Sequence, residues 1–168
     1  MVIILNGIGR SGKGSVYKFM NEIIPGIQYS WIDFTRNMMR EAGIPVDDKT
    51  PEMRKCLAEV GLALENLDIP YRDCISIIEN VSRQCLNDIY NVYLDCREPR
   101  NIDRIKEYCK VAHIKCVTIY VVRKGIECPD NKADISAQQT DYFYDYTIYN
   151  NGTLEDLKRK CFDICKEI

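Results

Sequence analysis

Histidine is almost missing from this chain of 168 residues, where His113 stands alone. Cysteine is plentiful at nine, yet no two have the Cys-x-x-Cys spacing and the count is odd. Zinc sites draw on paired Cys and His at short spacing, so the sequence offers no such centre. Several cysteines fall at apolar positions of expected helices and strands, where a reduced thiol packs as a small hydrophobe. No apolar run approaches the ~18 residues of a membrane span. The opening MVIILNG lacks the basic flank and small-residue cleavage site of a signal peptide, so a cytoplasmic protein is expected. The formal net charge is only -2. Without a strong field of one sign, neither nucleic acid nor a membrane is expected as a partner. No charge run marks a protein partner, and nothing in the sequence sets an oligomeric state. Repeats, low-complexity tracts and linkers are absent too. With 46% hydrophobic and 29% charged residues, the chain reads as a single domain, 1–168.

What is present is an alternation of strand and helix patterns. Residues 2–6 read as a short buried strand. Val16, Phe19, Met20, Ile23 and Ile24 mark a helix from Lys13 that Pro25-Gly26 ends. A strand is expected at 27–32 and a helix at 34–42. Pro51 opens a helix with Met53, Cys56, Leu57, Val60, Leu64 and Leu67 as its apolar stripe, and Pro70 breaks it. Further helices are expected at 72–87, 99–111 and 154–167, the last capped by Thr153. Further strands are expected at 91–95, 114–122 and 144–149. Such alternation, with connections long enough for crossovers, argues an α/β fold: a parallel sheet with helices on both faces.

The stretch NGIGRSGKGS, residues 6–15, lies between the first strand and the first helix. Gly7-x4-Gly12-Lys13 in that context is a phosphate-binding loop (P-loop). Glycines let the backbone curl with its N–H groups around an anion, and the following helix adds its positive end. Gly7, Gly9, Arg10, Ser11, Gly12, Lys13, Gly14 and Ser15 are the candidate nucleotide-binding residues. Lys13 supplies a mobile charge to the β and γ phosphates. In the strict motif a hydroxyl follows the lysine directly; here Gly14 intervenes, and Ser15 is the candidate magnesium contact.

Past the strand 91–95 comes LDCREPRNID. Ligands of parallel sheets sit at the carboxyl ends of strands. Asp95 there can order a magnesium shell or accept a proton, and Arg97 can hold a phosphate through two hydrogen bonds. Glu98 can instead favour the start of the next helix. Arg36 and Arg40 share a helical face, and Lys49, Arg54 and Lys55 follow. His113 is read as structural.

The Gly-Lys-Gly-Ser loop resembles that of nucleoside monophosphate kinases. The run Arg10 to Lys13 is similar to the loop of bacteriophage-type deoxynucleoside monophosphate kinases. DCRE, VVR and NNGT follow in the family's order. The resemblance implies a three-layer α/β/α fold with five parallel strands in the order 2-3-1-4-5. It implies a helical acceptor-binding insert at about 33–88 and a short lid at about 124–141. Arg36, Arg40 and Arg54 would then bind the acceptor phosphate, and Arg123 would close over the transferring phosphoryl group. Asn150, Asn151 and Gly152 would lie beside the nucleotide base. Lys13, Asp95, Arg97 and Arg123 are the candidate catalytic residues. ATP with Mg2+ is the implied cofactor set. The expected activity is ATP-dependent phosphoryl transfer to a small phosphorylated acceptor, a nucleoside or deoxynucleoside monophosphate. Two alternatives remain: a kinase of a non-nucleotide phosphorylated metabolite, and a non-catalytic nucleotide-binding regulator.

Overall fold

Every residue of the first strand, β1 (Val2–Asn6), is buried. That follows from its place at the centre of a parallel sheet covered on both faces. The computed structural model describes residues 1–48, 50–83, 91–126, 135, 137 and 141–168. The chain continues through α1 (Lys13–Asn21), β2 (Gly26–Ser30), α2 (Asp33–Glu41), α3 (Pro51–Glu65) and α4 (Ile69–Arg83). It ends with β3 (Asn91–Asp95), α5 (Pro99–Val111), β4 (Cys116–Val122), β5 (Tyr146–Tyr149) and α6 (Leu154–Glu167). The five strands run parallel in the order β2-β3-β1-β4-β5, as expected.

Side chains alternate across a strand, and β1 divides the core accordingly. Ile3 and Leu5 join Val16 and Met20 of α1 and Leu157, Cys161 and Cys165 of α6 on one face. Val2 and Ile4 join Cys74 and Ile78 of α4 and Ile102, Ile105 and Cys109 of α5 on the other. Each fully buried aliphatic side chain contributes roughly 1.5–3 kcal/mol. A third cluster, Met39, Val46 and Leu57, fastens α2 to α3. Gly61 lets these helices approach closely: a Cβ there would lie 3.0 Å from Ile32 Cδ1.

Local signals set most helix ends. Thr50 caps α3 by accepting from Met53 N–H, and Pro51 occupies its first turn. Thr153 and Asp156 form a reciprocal capping box on α6. Several expectations need correction. Pro70 does not break α3; it lies in the first turn of α4, where its missing N–H has no intrahelical partner to lose. The break falls earlier, where Asp68 takes a left-handed φ of 58° and is held by Arg104 at 2.8 Å. Leu67, expected in the α3 stripe, therefore lies past that helix and is exposed, and so is Leu154 at the start of α6. β2 ends at Ser30, α1 ends at Asn21, β4 begins at Cys116 and β5 begins at Tyr146. The expected helix at 72–87 begins at Ile69, and its positions 84–87 lie outside the described residues, as does Lys49.

Among the described residues no helix is long and apolar enough to cross a membrane, and no group of His, Cys, Asp and Glu is placed to hold a metal ion on its own. The described cysteines, 56, 74, 96, 109, 116, 161 and 165, are all free thiols.

Candidate active site

β2 and β3 lie to one side of β1 and β4 and β5 to the other. The chain thus changes sides at the carboxyl end of β1, where open α/β sheets bind their ligands. The register brings Ser30, Asp95, Leu5 and Ile119 to one level there. Immediately beyond is the P-loop.

Asn6 closes β1 and is fully buried. Its Oδ1 accepts from Gly7 N–H at 2.5 Å. Its Nδ2 donates to Arg97 O at 3.1 Å and to the Tyr144 hydroxyl at 2.6 Å. One amide thus joins the loop, the turn after β3 and the segment before β5. Tyr144 stacks on Tyr120, with ring centroids 4.9 Å apart. Burial raises the Tyr144 hydroxyl to about 12, so it remains protonated. Asn6→Ala is expected to cost about 2–3 kcal/mol and Tyr144→Phe about 1 kcal/mol, read as shifts of the denaturant midpoint.

The loop has its tightest constraints at Gly7 and Gly12, with φ of 140° and 107°. A Cβ on Gly7 would overlap Val121 O, and one on Gly12 would overlap Asn150 Nδ2. Asn150 donates from that atom to Ser11 O at 2.9 Å, tying the turn after β5 to the loop. Arg10 also takes a left-handed φ, 67°, and is exposed. Gly14 differs, since nothing lies within 4 Å of where its Cβ would be. Gly12→Ala is therefore expected to lose about 1–3 kcal/mol of stability. Gly14→Ala should gain up to about 1 kcal/mol through helix propensity. Thermal unfolding of both variants checks the contrast.

Lys13 opens α1 and is buried. Its Nζ donates to Gly7 O at 2.7 Å and Ile8 O at 3.2 Å, so the ammonium lies across the loop. No side chain caps the amino terminus of α1. Ser15 sits in that first turn, half-buried, with its N–H donating to Gly12 O at 3.0 Å.

Asp95 ends β3. Its Oδ2 accepts from Gln28 Nε2 at 3.3 Å. Its Oδ1 is buried without a hydrogen-bond partner. Burial raises its carboxyl above the ordinary value; the charges of Lys13 and Arg97 pull it down, and that of Asp33 pushes it up. Asp33 begins α2, accepts from Ser30 N–H at 2.7 Å and faces Arg36 at 3.3 Å. Four buried side-chain atoms among the described residues lack partners: Ser11 Oγ, Trp31 Nε1, Thr35 Oγ1 and Asp95 Oδ1. Trp31 and Thr35 follow β2, Asp95 ends β3 and Ser11 belongs to the loop after β1. A buried polar atom without a partner calls for an explanation, and Ser11 and Asp95 have theirs at the carboxyl end of neighbouring strands.

The other sequence candidates are placed unevenly. Arg97 is half-buried beside Asp95, close enough to act on its titration. Gly9 lies in the loop. Arg123 is exposed just past β4. Asn151 Oδ1 accepts from Lys124 N–H at 2.8 Å, and Gly152 packs against Asp156. Arg40 reaches Asp47 at 3.0 Å, and Arg54 is exposed on α3. His113 lies at the far end of α5 with a φ of 55°. Most of the expected lid, 124–141, lies outside the described residues. Asn6, Asp33 and Tyr144 were not among the sequence candidates. A polar residue closing an all-apolar strand was the available signal for Asn6, and a carboxylate just after β2 was the signal for Asp33. Tyr144 had none.

A curled loop around a buried lysine, between the central strand and the first helix of a 2-3-1-4-5 sheet, defines the P-loop NTPase fold. Solved structures share it. Shikimate kinase from Aquifex aeolicus vf5 aligns over 99% of this chain and 97% of its own, with 12% identity and a TM-score of 0.51. A gluconokinase from Sinorhizobium meliloti 1021 aligns over 99% and 91%, with 14% identity and a TM-score of 0.51. A sugar kinase from Janibacter sp. HTCC2649 aligns over 96% and 92%, with 11% identity and a TM-score of 0.51. At such identities the likeness is one of fold. No protein-family model and no curated protein sequence matches the chain.

Proposed function

We propose that this protein is an ATP-dependent kinase of a small molecule. The observation that carries the reading is the nearness of Lys13 and Asp95: the buried ammonium spanning the loop acts on a carboxyl of the neighbouring strand that keeps one oxygen buried without a partner. The residues suit ATP with Mg2+, because Ser11 Oγ in the loop and Asp95 Oδ1 on the neighbouring strand are both buried without a hydrogen-bond partner. Ser15 and Asp95 would hold the metal shell. Bound Mg2+ would neutralise charge on the phosphates.

On this reading Lys13 leaves the Gly7 and Ile8 carbonyls for the β and γ phosphates. Phosphoryl transfer needs positioning and positive charge more than covalent help. Arg97, beside Asp95, holds the acceptor, and Arg123 closes on the transferring group. Asn151 and Gly152 flank the base. Helices α2–α4, between β2 and β3, build the acceptor pocket.

The acceptor has two readings. A nucleoside or deoxynucleoside monophosphate would use Arg36, Arg40 and Arg54 for its phosphate. A non-nucleotide metabolite that presents a hydroxyl is supported by a separate observation. Asp33 and Asp95 put two carboxylates at the acceptor side, and Arg36 and Arg40 already face Asp33 and Asp47. A carboxylate at that place can accept the proton of a substrate hydroxyl. The shikimate, gluconate and sugar kinases of similar fold accord with it.

ADP production from ATP and magnesium, across nucleoside monophosphates, hydroxy acids, sugars and their phosphates, tests the proposal. Stimulation by a nucleoside monophosphate supports the first acceptor, and stimulation by a hydroxyl-bearing metabolite supports the second. Tight ATP binding without stimulation by any of them overturns the kinase in favour of a regulatory nucleotide-binding protein.

A further inference from the structure

The pairing of β1 with β3 stops at Leu5 and Asp95, whereas its pairing with β4 runs one residue further, to Asn6 and Tyr120. Past Asp95 the chain leaves the sheet. Cys96 N–H still donates to Leu5 O at 3.3 Å, and α5 begins at Pro99. Arg97 lies between the two. Its carbonyl accepts from Asn6 Nδ2 at 3.1 Å, so a side chain of β1 adds a rung beyond the end of the backbone ladder.

The neighbours of that side chain dictate its orientation. A carbonyl oxygen only accepts, and a backbone N–H only donates. Arg97 O therefore takes the Nδ2 end, and Gly7 N–H, at 2.5 Å, takes Oδ1. The second Nδ2 hydrogen goes to the Tyr144 hydroxyl at 2.6 Å. Turning the amide over would set oxygen against oxygen at Arg97 and N–H against N–H at Gly7, a costly exchange in a fully buried side chain. Tyr144 is itself held by two rings. It stacks on Tyr120, the register partner of Asn6, with centroids 4.9 Å apart, and packs at a tilt on Tyr142 at 4.8 Å. The Tyr142 hydroxyl donates to Asp103 Oδ1 of α5 at 2.7 Å.

We propose that Asn6 is the positioning residue for Arg97 in phosphoryl transfer: it holds the Arg97 backbone so that the guanidinium meets the acceptor, while Tyr144 keeps the amide in its working orientation. The inference rests on the kinase reading and on the acceptor-side place given there to Arg97.

Packing alone does not call for an amide here. The four residues of β1 before Asn6 are apolar and buried, and a fifth would fill the strand end as well. A buried amide needs partners, and this one finds them on both sides of the proposed reaction. Gly7, which donates to its Oδ1, also accepts from Lys13 Nζ at 2.7 Å. One rigid group thus refers Arg97 to the strand that carries the loop. An arginine that grips through two hydrogen bonds must be aimed as well as placed. Its aim depends on a turn of only three residues between β3 and α5, Cys96 to Glu98.

Two-substrate kinetics test the proposal. The donor is MgATP. The acceptor is the compound that gives the wild type its highest rate among nucleoside monophosphates, hydroxy acids, sugars and their phosphates. Asn6→Ala is expected to lower kcat/KM for the acceptor about tenfold. In the Arg97→Lys background the same change should cost no more than about twofold, because a point charge on a flexible stem asks less of its backbone. Tyr144→Phe, the milder change for folding, should repeat the pattern, with a loss of about threefold beside Arg97 and none in the Arg97→Lys background. Thermal unfolding shows that each variant is folded at the assay temperature. A role in stability alone gives equal losses in the two backgrounds. Equal losses, or no loss from either variant, overturn the proposal and leave the kinase reading standing. A wild type that turns over none of these acceptors overturns the kinase reading and the proposal with it.

Discussion

Lys13→Met is expected to lower acceptor-dependent ADP production by about 10²–10³-fold, the usual loss when one preorganised charge is removed from a transition state. The side chains are similar in length, so the methionine can occupy the same channel through the loop. What disappears is the ammonium and its bonds to Gly7 O and Ile8 O. Those carbonyls lose two donors at a net cost of about 1 kcal/mol each. That loss is partly offset by relief of burying a charge. The variant should therefore fold while failing in turnover and in ATP affinity. Steady-state kinetics and nucleotide titration check it, with thermal unfolding as the control. Turnover at the wild-type rate would remove Lys13 from the chemistry.

Asp95→Asn is expected to separate stability from activity. Burial raises the Asp95 carboxyl above its unfolded value of 3.8. A raised carboxyl means that the folded state holds the proton more tightly than the unfolded state does. Stability is then greatest at pH below 3.8 and declines as pH rises through the raised value, above which the full cost of the buried charge is present. Asparagine carries no charge and removes that decline. At neutral pH the variant should melt higher than wild type, by a stability gain on the order of 1 kcal/mol. The gap should shrink as pH falls towards 3.8. On the proposed function, activity should fall by about 10²-fold or more, because the carboxylate would order the metal shell or take the proton. Melting midpoints across the pH range and the turnover of both proteins test the pair. A variant less stable than wild type at neutral pH would show that the carboxylate charge is compensated within the fold.

These predictions bear on what local pattern records. The apolar run of β1 and the glycine spacing after it place strand, P-loop and helix without reference to anything distant. So do the helical repeats that become α1, α5 and α6, and the capping residues Thr50 and Thr153. These signals are local because helix periodicity, strand burial and cap chemistry act over a few residues. Where two local signals competed, the sequence misled. Pro70 reads as a helix breaker but is harmless in a first turn, whereas Asp68 takes the left-handed conformation with an ion pair to Arg104. Arg104 is 36 residues away from Asp68, so no local pattern announced it.

The candidate site divides along the same line. Lys13, Ser15, Asp95 and Arg97 stand out because motif and strand end place them, and a strand's carboxyl end can be recognised from its own sequence. Sequence by itself determined the alternation of elements, the P-loop and the strand-end carboxylate. Only the tertiary structure decided that Asn6 joins Tyr144 across 138 residues, that Asn150 ties itself to Ser11 across 139, and that Asp33 shares the field of Asp95. The physical reason is that hydrogen bonds and charges act through space. Residues that meet only when a sheet aligns its strand ends leave no period, spacing or composition along the chain.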